Sequence, residues 1–164
     1  MLIAASEEEL LRLLDRLERV SRDFGLTINA AKAKIMIVDG DTENDVRPAR
    51  IGRFEVVDKF VYLGSLLHCS GSCEFEIRRR IKIAWSAMTN MQKLWKDRSL
   101  TRATKIRLVN TLIFPILLYA SETWVIRTAD RKRINAFAVW RRMLRIPWTA
   151  RRTNASVLAD INLP

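Results

Sequence analysis

Leucines and a valine at positions 10, 13, 14, 17 and 20 recur every three or four residues with charged residues between them. That interval puts them on one stripe of an amphipathic helix. Ser6 followed by Glu9 is a capping-box pattern at its start, and Gly25 is a natural stop. The period then shortens. Residues 26–28 and 34–38 read as short strands on either side of an Asn-Ala-Ala turn, and 39–48 as a polar loop. Residues 54–57 and 59–67 are two further strand candidates before the Ser70-Gly71-Ser72 break.

Beyond Gly71 the helical period returns. Ile77, Ile81, Ala84, Trp85, Met88 and Trp95 fall on one face of a long helix, while Arg78, Arg79, Lys82 and Lys93 lie mostly off it. Ser99 or Thr101 caps a second helix through Lys105, Leu108, Val109 and Leu112, and Pro115 should kink or end it. A third is expected over 130–146, with Ile134, Phe137, Trp140, Arg141 and Leu144 near one stripe and Pro147 at its end. A short fourth spans 156–161. The fold class expected is α+β: a helix with small antiparallel hairpins, then an all-helical bundle. The expected divisions are 1–70, 71–148 and 149–164.

Composition permits a core, with 49% hydrophobic residues in 164. Two cysteines, Cys69 and Cys73, make no disulfide framework and suit a reducing, intracellular compartment, nucleus or cytoplasm. The start of the chain has no signal-peptide pattern. The longest apolar run, 112–120, is too short to span a bilayer and contains Pro115, so no membrane partner is expected. Charge changes the picture more. The net +11 divides unevenly: residues 1–76 carry 10 Lys and Arg against 14 Asp and Glu, and residues 77–164 carry 19 against 4. The second half is therefore the candidate polyanion-binding half.

Two local patterns narrow the class. Gly25-Leu26-Thr27-Ile28-Asn29-Ala30-Ala31-Lys32-Ala33-Lys34-Ile35-Met36 and Phe60-Val61-Tyr62-Leu63-Gly64-Ser65 resemble the last two palm motifs of the reverse transcriptases of non-LTR (LINE-type) retrotransposons. The stretch from Gly71 to Asn162 is similar to that family's helical thumb and the start of the segment beyond it. The resemblance implies that Lys32, three residues after Asn29, sits near the incoming nucleotide's phosphates. A cation there would neutralise charge or donate a proton at the leaving group. Ala33 stands where the family commonly has Thr or Ser. The resemblance also implies that Phe60, Tyr62, Leu63, Gly64 and Ser65 form a primer grip. It further implies duplex contacts from the first thumb helix, through Arg78, Arg79, Arg80, Lys82 and Lys93, and that an RNA template with an RNA–DNA or DNA duplex is the partner.

The family's catalytic Tyr/Phe-x-Asp-Asp turn is not among these residues. The expectation is a fragment that starts just after that turn and is inactive alone. It would be completed by an upstream palm and fingers, with magnesium belonging to the intact enzyme and no cofactor bound by this chain. Arg131, Lys132, Arg133, Arg141, Arg142, Arg145, Arg151 and Arg152 form a second basic group interleaved with Trp140 and Trp148. Tryptophans at helical spacing are more often core, the reading taken for Trp85, Trp95 and Trp140. Arg141, Arg142 and Arg145 are taken as nucleic-acid contacts. His68, Cys69 and Cys73 lack the paired spacing of a structural zinc site, so no metal is assigned. Two rivals stand beside the fragment reading. One is a non-catalytic basic helical module for RNA or DNA, a relic or retained piece. The other makes residues 131–148 an amphipathic helix for an acidic membrane or calmodulin-like partner, disfavoured because a thumb buries that face.

Overall fold

The computed structural model describes residues 1–38, 48–136 and 138–161. The chain is α+β and divides into two compact units, Met1–Tyr62 with Leu67–Gly71, and Leu63–Leu66 with Ser72–Pro164.

The first unit opens with helix α1, Glu7–Asp23. The Ser6 hydroxyl accepts from the Glu9 N–H, one of the helix's orphan donors, and the Glu9 carboxylate reaches back to accept from the Ala5 N–H just before the cap. At the other end Gly25, at φ +70, closes a Schellman motif: its N–H reaches the Arg22 carbonyl and the Leu26 N–H reaches that of Ser21. Residues 26–28 are not a strand, and the second expected strand shrinks to β1, Lys34–Ile35. Two more follow, β2 (Arg50–Ile51) and β3 (Phe54–Val56). Strand β3 lies at the centre, parallel to β1 and antiparallel to β2. The sheet is mixed rather than a set of antiparallel hairpins. Ile51 and Phe54 are buried in it, an Arg53–Glu18 ion pair ties α1 to the β2–β3 turn, and the Arg53 guanidinium lies 5.1 Å from the Phe54 ring centroid. The expected loop at 39–48 falls almost wholly outside the described residues.

The expected strand 59–67 is a hairpin, β4 (Lys59–Tyr62) and β5 (Ser65–His68). Its two turn residues, Leu63 and Gly64, have φ of 47° and 81°, the pair of positive values that a type I′ turn requires.

The second unit is helical. Helix α2 (Glu74–Asn90) ends before Trp95, which belongs to the short α3 (Gln92–Lys96). Helix α4 (Arg102–Leu108) is capped by Thr101, whose hydroxyl accepts from the Thr104 N–H. A π-helical turn, Val109–Ile113, leads into α5 (Phe114–Leu117). Pro115 explains the wide turn. It offers no N–H and its ring crowds the carbonyl four residues back, and just before it the Phe114 N–H bonds Val109, five residues back. The expected helix at 130–146 is two helices, α6 (Thr128–Ala136) and α7 (Val139–Met143), with Ala138 off helical geometry and Phe137 outside the described residues. Helix α8 is Asn154–Ala159. Ala84, Met88, Trp95, Val109, Ile113, Leu117, Val139 and Met143 form the buried core of the unit. Among the described residues no helix is long and apolar enough to cross a membrane.

Candidate nucleic-acid interface

The Leu63–Gly64 turn is held by side chains that hydropathy alone places in solvent. Glu76 is 2% exposed on α2 and accepts from three donors: Arg80 Nε at 2.6 Å, Arg79 Nη1 at 3.0 Å and the Leu66 N–H at 2.9 Å. Arg79 and Arg80 also donate to the Gly64 carbonyl. The Arg80 guanidinium lies 4.3 Å from the Tyr119 ring centroid, and the Tyr119 hydroxyl donates to the Leu63 carbonyl at 2.8 Å. A Cβ on Gly64 would meet that hydroxyl at 3.1 Å, so a side chain here would crowd Tyr119 as well as strain φ. The outcome is a turn with fixed carbonyls whose residue Leu63 stays 76% exposed. Phe60 and Tyr62 on β4 are about one-third exposed, and Ser65 is half-buried.

In the first unit Asn29 builds the loop that carries Lys32. Its side-chain oxygen accepts from the Ala31 and Lys32 N–H groups at 3.1 and 3.2 Å, and its carbonyl accepts from those of Lys32 and Ala33. This is an Asx turn closing a single helical-type turn. Lys32 itself is exposed and makes no ion pair among the described residues. Lys34, two positions on, is instead committed to Glu55, and that hydrogen bond holds the Glu55 carboxyl below the ordinary range.

The basic residues of the second unit sort into two kinds. Arg78 pairs with Glu74, and Arg133 with both Glu74 and the buried Asp130, which ties α6 to the start of α2. Arg141 is 6% exposed. It donates to the Arg152 carbonyl and to Asn154, stacks 4.8 Å from the Trp148 ring, and keeps one buried Nη1 without a partner. Arg142 stacks on Trp85 at 4.4 Å. These cations position the fold. Lys82, Lys93 and Arg145 are the other kind, exposed and free of ion pairs among the described residues. Of the tryptophans, Trp95 is core and Trp140 packs against it, whereas Trp85 is 45% and Trp148 69% exposed.

Sequence reasoning missed Glu76, Arg80 and Tyr119 as the holders of the turn. Glu76 and Arg80 did carry a signal, since a glutamate four residues before an arginine is the favourable order for a helix pair. Among the described residues no group of three or more His, Cys, Asp and Glu side chains is placed to hold a metal ion.

No family model matches the chain, and no solved structure matches it. It is 28% identical over 168 aligned residues to a Caenorhabditis elegans protein described as transposon-derived, an alignment that takes in 99% of this chain. The chain spans 60% of the length of that relative. Along nearly its whole length, then, the sequence is similar to a protein of transposon origin.

Proposed function

We propose that the chain is the palm-end and thumb portion of a LINE-type reverse transcriptase, and that it holds a template–primer duplex while catalytic carboxylates come from outside these residues. The observation that carries the reading is the Leu63–Gly64 turn, fixed by Glu76, Arg79, Arg80 and Tyr119 yet open to solvent. A primer grip has to keep its backbone still against a strand it touches, and bonds already made within the protein do that without waiting for the ligand. Similarity to a transposon-derived protein supports the same origin. Lys82 and Lys93, free and exposed, would neutralise duplex phosphates without reading sequence.

The test is fluorescence anisotropy with an RNA–DNA hybrid across a salt series. Lys82→Ala with Lys93→Ala should weaken binding on every sequence and lower the salt slope by about two units, roughly 0.9 per duplex phosphate contact. Absence of hybrid binding at low salt, or an unchanged slope, overturns the reading.

A second reading, a non-catalytic nucleic-acid-binding module, is favoured by one observation: the second unit has its own buried core. Joining the chain to an active upstream palm separates the two. A polymerase portion restores primer extension there, and a retained binder does not.

A further inference from the structure

A second basic feature lies in the helical unit, lined by none of the residues around the Leu63–Gly64 turn. A cleft of about 480 Å³ opens between the α3–α4 connection and the end of α7. Its floor is apolar, with Trp95, Met143 and Ile146. Six cations line it against two carboxylates, and both carboxylates are already satisfied. Asp160 pairs with Arg152 at 2.7 Å, and Asp97 accepts from the Ser99 N–H and hydroxyl at 2.8 and 2.7 Å; each hydrogen bond holds its carboxyl below the ordinary aspartate range. Lys105 is spent on the Trp95 and Asp97 carbonyls. Lys96, Arg98, Arg102 and Arg145 remain, with no ion pair among the described residues.

A smaller cleft of about 240 Å³ adjoins it, sharing Trp95, Lys96, Arg145 and Ile146 and adding Arg141 and Arg142, with no acidic residue. Arg141 brings the buried Nη1 that lacks an acceptor. Pro147 and Arg141 line this cleft, and Trp148, 69% exposed, follows Pro147 and stacks on Arg141 at its edge. Concave, unneutralised positive charge beside an open aromatic face is what a strand of stacked bases on a phosphodiester backbone requires. A lone phosphate would have no use for the aromatic ring, and a flat membrane surface could not enter a cleft.

We propose that this paired cleft binds one single nucleic-acid strand, phosphates on Lys96, Arg98, Arg102 and Arg145 and a base on Trp148. The proposal rests on the reading of the chain as a nucleic-acid holder but concerns a different surface. It is separate from the duplex held near the hairpin.

The test uses the full chain and a fluorescein-labelled single-stranded RNA, with the hybrid duplex measured in parallel. Lys96→Ala, Arg98→Ala and Arg102→Ala together should weaken strand binding at least about tenfold at low salt and reduce the salt slope by about two units, roughly 0.7 per single-strand contact. Hybrid affinity, set by Lys82 and Lys93, should change little. Trp148→Ala should weaken the strand about fivefold or more and Trp148→Tyr should restore it, with inorganic polyphosphate binding unaffected by either. Unchanged strand affinity in the triple variant overturns the proposal, whatever the hybrid does. So does Trp148→Ala that binds strand as the parent does, which would mark a site for bare phosphates. Tighter, Lys96-dependent binding to phosphatidylserine vesicles than to the strand would equally refute it.

Discussion

Replacing Glu76 by Ala removes the carboxylate on which the hairpin tip and α2 depend. Glu76 and Arg80 are 2% and 8% exposed, so the change leaves a guanidinium out of water without its counter-ion. Breaking a buried pair from one side costs about 3–5 kcal/mol. Arg80 keeps the Gly64 carbonyl and the Tyr119 ring, and Arg79 is exposed enough for its lost bond to matter little, which puts the cost near the lower end, about 3 kcal/mol. For a unit of this size that corresponds to roughly 12–24 °C in Tm. Urea denaturation followed by tryptophan emission reads it directly, since Trp85, Trp95, Trp124, Trp140 and Trp148 all lie in the helical unit. Glu76→Gln should fall between parent and Glu76→Ala, because an acceptor for the Leu66 N–H survives. Glu76→Leu with Arg80→Met should recover most of the loss. The Leu66 amide should exchange faster in Glu76→Ala. A loss below about 1 kcal/mol at an unchanged urea slope would refute the reasoning.

Four shorter predictions accompany it. Gly64→Ala should cost about 1–2 kcal/mol from φ alone, and pairing it with Tyr119→Ala, which clears the 3.1 Å approach, should make the two changes non-additive in a denaturation cycle. Arg145, at φ 58° in a Schellman motif that α7 closes through Ile146 and Arg141, should gain about 1 kcal/mol as Arg145→Gly in thermal melts while binding single-stranded RNA more weakly. Glu55, Asp97 and Asp160 have folded pKa values below their unfolded ones, so their stabilisation is present above the unfolded values, near about pH 4, and is lost as pH falls through the folded ones; a Tm-versus-pH series should decline there, and Asp160→Asn should flatten the decline. In a polymerase with its upstream palm restored, Lys32→Ala should slow incorporation with duplex affinity retained and stability within about 0.5 kcal/mol, as rapid-quench and anisotropy measurements would show.

What could be read from the residues was what local chemistry decides. Ser6, Glu9 and Gly25 bound α1 within a residue because caps and stops are set by near neighbours. The hairpin around Leu63 and Gly64 was legible as an element, but not its anchoring, since amphipathic reading assigns Glu76 and Arg80 to water and only tertiary packing buries them as a pair. The same packing turned Trp85 outward under Arg142 although its spacing matched the core face. Strand β2 has two residues and no pattern of its own, and the parallel β1–β3 pairing joins segments about twenty residues apart. Asn29 was singled out by motif, and the structure shows its side chain closing an Asx turn under Lys32.

Helix α1 has a strongly one-sided apolar stripe, yet none of its residues is buried, and Leu17 and Val20 stand 41% and 50% open. A helix of this length is marginal in water unless packing supports it. Its opening free energy should therefore be far smaller than that of α2, whose Ile77, Ala84 and Met88 are wholly enclosed. Proteases act on such opened segments in proportion to their equilibrium population. Proteolysis of the isolated chain would then begin at α1, whose leucine face is open, and not at the sturdier helices that follow.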